Sequence, residues 1–226
     1  MRYNGHNLDD GVCDPLPRRA LFRSRTSQKT RISIEHYEVD RGGHSYIYAP
    51  CHEQRFGRGA VAFHYKSVLI SVDGACRRNG QPDAVASWAV FFSASSPHNE
   101  AHLLPDTATP TSQRAELTSG IKALKAVKRL IRPGEELEGI EQVVVKVDSE
   151  YLVRGATEWI HKWKSNGWTG STGRLIVHRS LFQSLDDHIR DLEQEGIVVL
   201  FWLVPREQNQ RADELANLAL DNYESL

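Results

Sequence analysis

The clearest hydrophobic pattern in the chain is a series of short apolar runs beginning near residue 67. Residues 68–72 are rich in β-branched side chains, which favours a strand, and Asp73-Gly74 after them predicts a turn. A second strand is expected within 84–94, and a third near 102–104. These runs predict three consecutive strands joined by loops.

A helical pattern follows and then alternates with strand patterns to the end of the chain. Residues 117–131 carry apolar side chains at helical spacing, and Pro133-Gly134 stops this pattern. The remaining expected elements are a buried strand at 143–147, a helix at 150–155, a helix over 181–192, a strand at 197–204 and a helix over 209–223. This order predicts an α/β fold with a mixed sheet flanked by helices.

Residues 1–66 lack a comparable pattern. Apolar stretches at 32–34, 46–48 and 61–65 are short, and they fit either isolated strands or an ordered arm. We therefore expect an N-terminal extension at 1–66, partly disordered or irregular, followed by one domain at 67–226.

Composition and charge add one feature to this picture, an uneven distribution of charge along the chain. Hydrophobic residues make up 40% of the chain and charged residues 25%, as in a packed globular protein. The net charge of −1 is unlike that of a strongly basic nucleic-acid binder. However, residues 1–66 hold eleven Lys and Arg against seven Asp and Glu, whereas 67–226 hold seventeen against twenty-two. An acidic domain still suits nucleic acid if its acids hold divalent cations, because bound ions invert the local field.

Cysteine usage and the N-terminal sequence bear on the compartment. The three cysteines form no metal-type pair, and their odd number favours a reducing environment. The N-terminus has no apolar segment typical of a secretory signal. We expect an intracellular protein, nuclear or cytoplasmic. The acid-free, Arg-rich segment 15–31 adds a mitochondrial transit peptide as an alternative, although the acids just before it favour a basic tail.

Four acidic residues stand at the ends of predicted elements. Asp73 ends the first strand, and Asp148 directly follows another. Glu116 opens a helix, and Asp213 lies in the first turn of the last helix. Strand ends and adjoining helix starts are where sites assemble in open α/β sheets, so folding could bring the four together. Taken singly, each acid also has an ordinary explanation as a turn residue, a helix cap or a favourable charge near a helix N-terminus.

The segments around these acids resemble the four active-site motifs of type 1 ribonuclease H. They read VDGACRRNG at 72–80, QRAEL at 113–117, VDSEY at 147–151 and NQRADELA at 209–216, in the order of the family. A fifth segment, WIHKWKSNGW at 159–168, is similar to the hybrid-binding handle of bacterial and animal members. The resemblance covers residues 67–222 and implies the ribonuclease H fold, a five-stranded mixed sheet flanked by helices.

The resemblance implies endonucleolytic hydrolysis of the RNA strand of RNA–DNA hybrids, giving 5′-phosphate and 3′-hydroxyl ends. Mg²⁺ prefers oxygen ligands, and two ions about 3.5–4 Å apart can activate a water and stabilise the leaving oxygen. Asp73 is expected to bridge two Mg²⁺ ions, for which Mn²⁺ can substitute, with Glu116 and Asp148 completing one site. Asp213 is expected to hold the other ion. The expected partner is an RNA–DNA hybrid, bound by a monomer.

Other positions match nucleic-acid contacts of the family. Asn79 matches the residue that reads a 2′-hydroxyl, the group that distinguishes RNA from DNA. Gln113 is expected to reach the RNA minor groove, with Ser112 replacing the Asn of the family beside it. Thr111 matches a threonine that contacts phosphate. Without its motif, Asn79 would be explained as an Asn-Gly turn residue.

The tryptophan segment has two interpretations. Trp159 and Trp163 lie four positions apart on one helix face, and core packing is the usual reason for such a pair. Lys162 and Lys164 are interleaved, and Trp168 follows a break in the helix. Aromatic side chains beside cations form a platform for a sugar–phosphate backbone. We favour binding of the DNA strand, with Trp159 the one expected to be simply buried.

The loop before the last helix departs from the common pattern. It reads VPREQN at 204–209 and lacks the histidine that many type 1 enzymes carry there. Similar short loops occur in some archaeal and fungal relatives. Arg206 or Glu207 is the expected substitute, and a slower enzyme is expected rather than an inactive one.

Two alternative functions remain open from the sequence. One is a nucleic-acid-binding module that keeps the ribonuclease H fold without cleavage. The other is a retroelement-derived nuclease domain with a different nucleic-acid substrate. Retention of all four acids argues against the pure binder, because clustered negative charge repels phosphate.

Overall fold

The computed structural model describes residues 21–22, 38–50, 61–105 and 109–225. The apolar stretch at 32–34 lies outside these residues, as does the Arg-rich segment 15–31 except for 21–22.

The strands of the described residues form one mixed sheet. They are β1 (Leu21–Phe22), β2 (Glu38–Arg41), β3 (His44–Pro50), β4 (Val61–Arg77), β5 (Val85–Phe91), β6 (Glu100–Leu103), β7 (Gln142–Val147) and β8 (Val198–Leu203). Along one path the strand order is β1-β8-β7-β4-β3-β2, and β5 pairs with β4 and β6. The five strands predicted from residue 67 onward are therefore confirmed as β4 to β8.

The long strand β4 organises this sheet. Its first half pairs antiparallel with β3, and its second half pairs antiparallel with β5. On its other side it runs parallel to β7, which in turn runs parallel to β8. The parallel strands β4 and β7 therefore bring their C-terminal ends to the same edge of the sheet.

The turn predicted at Asp73-Gly74 is wrong. Asp73 pairs with Ala89 and Gly74 with Trp88, so β4 continues to Arg77. The turn comes later, where Arg78 and Gly80 both have positive φ. An Asp-Gly pair is a common local turn signal, but here Gly74 allows a helix to pack closely against β4.

The helices lie close to their predicted positions. They are α1 (Ser112–Leu130), α2 (Glu150–Arg154), α3 (Ile160–Ser165), α4 (Arg179–Gln194) and α5 (Gln210–Glu224), with a π-helical segment (Gly155–Trp159) joining α2 to α3. Helix α1 packs against β4, β5 and α4, whereas α5 packs against β4, β5 and β6. No helix in the described part of the chain is long and apolar enough to span a membrane.

The extension contributes strands to the same sheet. The stretch at 46–48 belongs to β3, which forms an antiparallel hairpin with β2. The stretch at 61–65 is the beginning of β4 itself. Strand β1 pairs parallel with β8. The two described apolar stretches are therefore sheet strands, and β4 crosses position 66 without interruption.

Candidate active site

The four acids singled out in the sequence surround one cavity. Asp73, Glu116, Asp148 and Asp213 all line a cavity of about 540 Å³. They come from strand β4, helix α1, the end of β7 and the first turn of α5. Folding thus gathers four carboxyl groups that are up to 140 positions apart in the chain.

Asp73 is the most enclosed of the four. Its side chain extends from the middle of β4 and the residue is only 7% exposed. Burial raises the pKa of its carboxyl group to about 7, and the charges of Asp148 and Asp213 contribute to this rise. A hydrogen bond from the backbone of Gly74 opposes it. The ionised form of this carboxyl group is therefore disfavoured in the metal-free protein.

Gly74 allows the first two acids to come together. A Cβ atom at Gly74 would lie 2.2 Å from the backbone nitrogen of Glu116 and 2.4 Å from the carbonyl carbon of Ala115. No side chain fits there, so only glycine lets α1 lie directly against β4. Glu116 is the fifth residue of α1, which begins at Ser112, and not the first helical residue as predicted.

Ser149 holds Glu116. Its hydroxyl donates a hydrogen bond to Glu116 Oε2 and accepts one of 3.2 Å from the backbone nitrogen of Leu152, which caps α2. Burial raises the pKa of Glu116, the bond from Ser149 lowers it, and the charge of Asp148 raises it. No local pattern in the sequence indicates this contact between Ser149 and Glu116.

Asn209 holds Asp148 in the same way. Its side-chain nitrogen donates to Asp148 Oδ1 at 3.0 Å and to the backbone oxygen of Val72 at 2.9 Å. Asn209 is 1% exposed, so this link between β4, β7 and the start of α5 is fixed in the interior. In the sequence, Asn209 is recognisable only as the first residue of the motif at 209–216. Its position just before the last helix is the feature that could have indicated a structural role.

Arg206 faces the fourth acid. Its Nη2 lies 2.7 Å from Asp213 Oδ1, and the charge of Asp213 is the main cause of the raised pKa of Arg206. Asp73 and Asp148 contribute in the same direction. Arg206 lines the four-acid cavity, whereas Glu207 lines a different cavity beside Lys146. Of the two expected substitutes for the loop histidine, Arg206 is therefore the one placed at the acids.

The predicted RNA contacts differ in how the structure places them. Ser112 lines the cavity, and the Thr111 hydroxyl caps α1 by accepting from the backbone nitrogen of Arg114 at 3.2 Å. Asn79 and Gln113 are exposed. These two amides are accessible to a bound strand, and their roles stay predictions.

The tryptophan segment differs from expectation in which ring is buried. Trp163 is 9% exposed and packs edge-on against Phe182, with 4.9 Å between ring centroids. Trp159, expected to be the buried one, is only partly buried, as is Trp168. The prediction for Trp159 is wrong, and Trp159 is the last residue of a π-helical segment, which departs from regular α-helical spacing.

The two lysines of this segment also differ from each other. Lys164 pairs with the buried Asp186 at 3.0 Å, whereas Lys162 is exposed. Lys164 therefore has a structural partner already, and Lys162 is the more available cation for a phosphate.

A comparison with protein-family models decides the family. The model described as RNase H matches residues 65–221, well over half of the chain. The chain belongs to the ribonuclease H family. The matched range contains all four acids, the tryptophan segment and the strands β5 to β8 with most of β4.

Individual ribonuclease H relatives agree with this assignment. A ribonuclease H of Coxiella burnetii is 34% identical over 157 residues, covering 68% of this chain and 90% of the relative. The ribonuclease H1 of Rattus norvegicus is 31% identical over 163 residues, covering 70% of this chain but 52% of the rat protein. The match therefore spans about half the length of the rat relative.

A solved structure supports the fold. A foamy viral protease-reverse transcriptase, solved with double-stranded DNA, superimposes with a TM-score of 0.50 at 22% identity, covering 67% of this chain and 92% of that chain. At this identity the likeness concerns the ribonuclease H fold alone.

Proposed function

We propose that this chain hydrolyses the RNA strand of RNA–DNA hybrids as an endonuclease, leaving 5′-phosphate and 3′-hydroxyl ends. The observation that carries the proposal is the meeting of four acids from separate elements in one cavity. A protein that only bound nucleic acid would gain nothing from this cluster, because its charge repels phosphate. The name of the Coxiella burnetii relative, ribonuclease H, supports the same activity.

The donor set fits hard divalent cations. Carboxylate oxygens are preferred ligands of Mg²⁺, and the raised pKa of Asp73 reflects in part a mutual repulsion that such ions would relieve. Asp73 would bridge two ions, with Glu116 and Asp148 on one and Asp213 on the other. When bound, the ions would supply an activated water and charge stabilisation for the leaving 3′ oxygen.

The protein's own residues prepare this arrangement. Ser149 and Asn209 hold Glu116 and Asp148 at fixed positions through the hydrogen bonds described above. Such fixed ligands lower the cost of reorganisation when charge develops during the reaction. Arg206 pairs with Asp213 and lines the same cavity, so its guanidinium would be available to a phosphate bound there.

Recognition of the hybrid follows from the surface around the cavity. We assign Asn79, Gln113 and Ser112 to the RNA strand and Thr111 to a phosphate. Trp168 and Lys162 lie on the outer side of the tryptophan segment and would contact the DNA backbone. Trp163, which is buried, and Lys164, which pairs with Asp186, would stabilise the position of this surface.

A single gel experiment tests the proposal. End-labelled hybrid, double-stranded RNA, double-stranded DNA and single-stranded RNA are incubated with the full chain, with Mg²⁺ or with a chelator. We expect cleavage of the hybrid RNA strand alone, only with Mg²⁺, and loss of at least about 1000-fold activity in Asp73→Asn. Glu195→Gln, which removes an exposed acid outside the cavity, should keep full activity.

The other outcomes are distinct. Hybrid binding without products would favour the binding module, and cleavage of another duplex would favour the retroelement-type nuclease. Undiminished cleavage by Asp73→Asn would overturn the metal assignment.

A further inference from the structure

A second group of metal-type ligands lies away from the four acids. It consists of His44 at the start of β3, His98 in the loop between β5 and β6, and Glu136 in the loop after α1. One ligand atom from each of these residues lies within 4.8 Å of the others, and among the described residues this is the one group of three that does so. We call it the His-His-Glu cluster.

The contacts within the cluster converge on one carboxylate oxygen. Glu136 Oε2 lies 2.7 Å from His44 Nε2 and 3.1 Å from His98 Nε2. The two imidazole rings stack, with 5.7 Å between centroids and 15° between planes. Two ring nitrogens and one carboxylate oxygen therefore lie close enough together to share one cation.

The two histidines differ in how they contact Glu136. His44 Nε2 forms a hydrogen bond with Glu136, whereas His98 Nε2 does not form a well-aligned one. His98 Nε2 is buried and lies 3.1 Å from Glu136 Oε2, an ion-pair distance, but this contact does not meet the geometry of a well-formed hydrogen bond. A buried polar atom that is poorly paired is costly and calls for an explanation. A cation bound between the three ligand atoms would satisfy it.

The surrounding structure holds the two histidines in place in advance. The backbone nitrogen of Ser45 donates to the oxygen of Phe92 at 3.1 Å, which ties the start of β3 to the end of β5. The Asn99 side chain accepts from the Phe92 nitrogen at 2.8 Å and donates to the Ser93 oxygen at 2.7 Å, which closes the loop carrying His98. The Phe92 ring meets both imidazoles edge-on.

The cluster is separate from the four-acid cavity. Glu136 follows the C-terminal end of α1, whereas Glu116 lies in the second turn of that helix. Fourteen residues from Glu116 to Leu130 at about 1.5 Å each put roughly 21 Å between the two regions. The carboxyl group of Glu136 also has a lowered pKa, mainly because of the hydrogen bond with His44, and it is therefore anionic at neutral pH.

We infer that the His-His-Glu cluster binds one divalent cation of the Zn²⁺ type through His44 Nε2, His98 Nε2 and Glu136 Oε2. Two imidazoles with one carboxylate suit zinc, whereas Mg²⁺ prefers oxygen ligands alone. A water molecule would complete a tetrahedral site. The cation would join β3, which belongs to the extension, to two loops of the ribonuclease H domain.

The environment of His44 sets the expected affinity. His44 Nδ1 is buried and has no partner among the described residues, although metal-binding histidines usually donate from the second nitrogen. The absence of such a partner lowers metal affinity by about 10–100-fold. We therefore expect Zn²⁺ to bind with moderate affinity and to be removed by brief treatment with a chelator.

The test is a titration of the full chain with Zn²⁺ in the presence of excess Mg²⁺, which is added to compete for the four-acid cavity. Calorimetry should show one Zn²⁺ per chain, and a hundredfold excess over the dissociation constant should raise the midpoint of thermal unfolding by about 5–10 °C. Co²⁺ should give the visible absorption of a tetrahedral complex with nitrogen ligands.

Three variants decide the assignment. Glu136→Gln keeps an acceptor for His44 but removes the anionic ligand, and His98→Ala removes a ligand from a loop. Each should weaken Zn²⁺ binding at least about tenfold and abolish the tetrahedral Co²⁺ spectrum. His161→Ala changes an exposed histidine outside the cluster and should leave both unchanged.

The opposite results would overturn the inference. These are no Zn²⁺ binding in the presence of Mg²⁺, or equal binding by the wild type, Glu136→Gln and His98→Ala. Either would mean that the cluster is an ion pair that holds β3 by itself. Hybrid cleavage is not a readout here, so failure of this test can be told apart from failure of the proposed function.

Discussion

At the scale of single residues, the carboxyl group of Asp73 sits where folding disfavours its ionised form. It is buried beside Asp148 and Asp213, and its pKa of about 7 compares with 3.8 for an ordinary aspartate. The folded protein therefore holds this proton more tightly than the unfolded chain does. The stability linked to it is fully present below about pH 4 and is lost as the pH rises from 3.8 to about 7.

Asp73→Asn should consequently stabilise the metal-free protein above pH 7. Asparagine cannot ionise, so the variant avoids a cost of up to about 4 kcal/mol, at roughly 1.4 kcal/mol per pH unit. Urea unfolding in the presence of a chelator at pH 4, 6 and 8 measures this. The free energies of unfolding of the two proteins should be closest at pH 4 and diverge towards pH 8. If the free energies of unfolding of the two proteins changed with pH in parallel, the carboxyl group of Asp73 would have an ordinary pKa.

At the scale of elements, the approach of α1 to β4 sets the distance between Asp73 and Glu116. This approach depends on the missing side chain of Gly74, because a Cβ atom there would lie only 2.2 Å from the Glu116 backbone nitrogen. The obstructing atoms are helix backbone, so they cannot move aside by a change of side-chain rotamer. The ligand geometry of the site is thus a property of how two elements pack.

Gly74→Ala should therefore cost both stability and activity. Overpacking costs about 1–3 kcal/mol where side chains can move, and here the obstruction is backbone, so we expect at least about 2 kcal/mol. Urea unfolding and the Mg²⁺ dependence of cleavage measure the two effects. Gly170→Ala is the matched control, because its added carbon would meet its nearest atom at 3.5 Å, an ordinary contact. Equal effects of the two substitutions would contradict this role of Gly74.

The sequence predicted elements better than it predicted contacts, for a physical reason. Hydrophobic periodicity is local, so β5, β7, α1 and α4 were predicted near their true bounds. The continuation of β4 past Asp73 depends on pairing with β5 and packing against α1, and the Asp-Gly signal contains neither. The close packing of the π-helical segment against Phe182 requires Gly155, where a Cβ atom would lie 2.2 Å from the ring.

The same limit applies to the site. The four acids were recognisable because each lies in a motif that resembles a family. Their supporting contacts join positions far apart in the chain, such as Ser149 with Glu116 and Asn209 with Asp148. The His-His-Glu cluster has no motif, since 92 positions separate His44 from Glu136. Only the folded chain brings such groups together.

At the scale of the whole molecule, the extension and the ribonuclease H domain share one sheet. Strand β3 pairs with β4 at five register positions, between Ser45–Leu69 and Pro50–Val61. The family match begins only at residue 65, inside β4. None of the four acids comes from the extension. The extension should therefore contribute to stability and leave the chemistry to the domain.

Two truncated chains test this division. A chain beginning at residue 61 loses β1, β2 and β3, which uncovers one edge of β4 and removes the contact between His44 and Glu136. Its free energy of unfolding should fall on the order of 3 kcal/mol, since several backbone hydrogen bonds of about 1 kcal/mol each are lost. Measured well below its unfolding midpoint, its kcat on the hybrid should stay within about twofold of the full chain, because all four carboxylates remain.

A chain beginning at residue 38 keeps β2, β3 and the His-His-Glu cluster, so it should lose much less stability. If the shorter chain were as stable as the full one but inactive, the extension would belong to the active site, and the division of roles would be wrong.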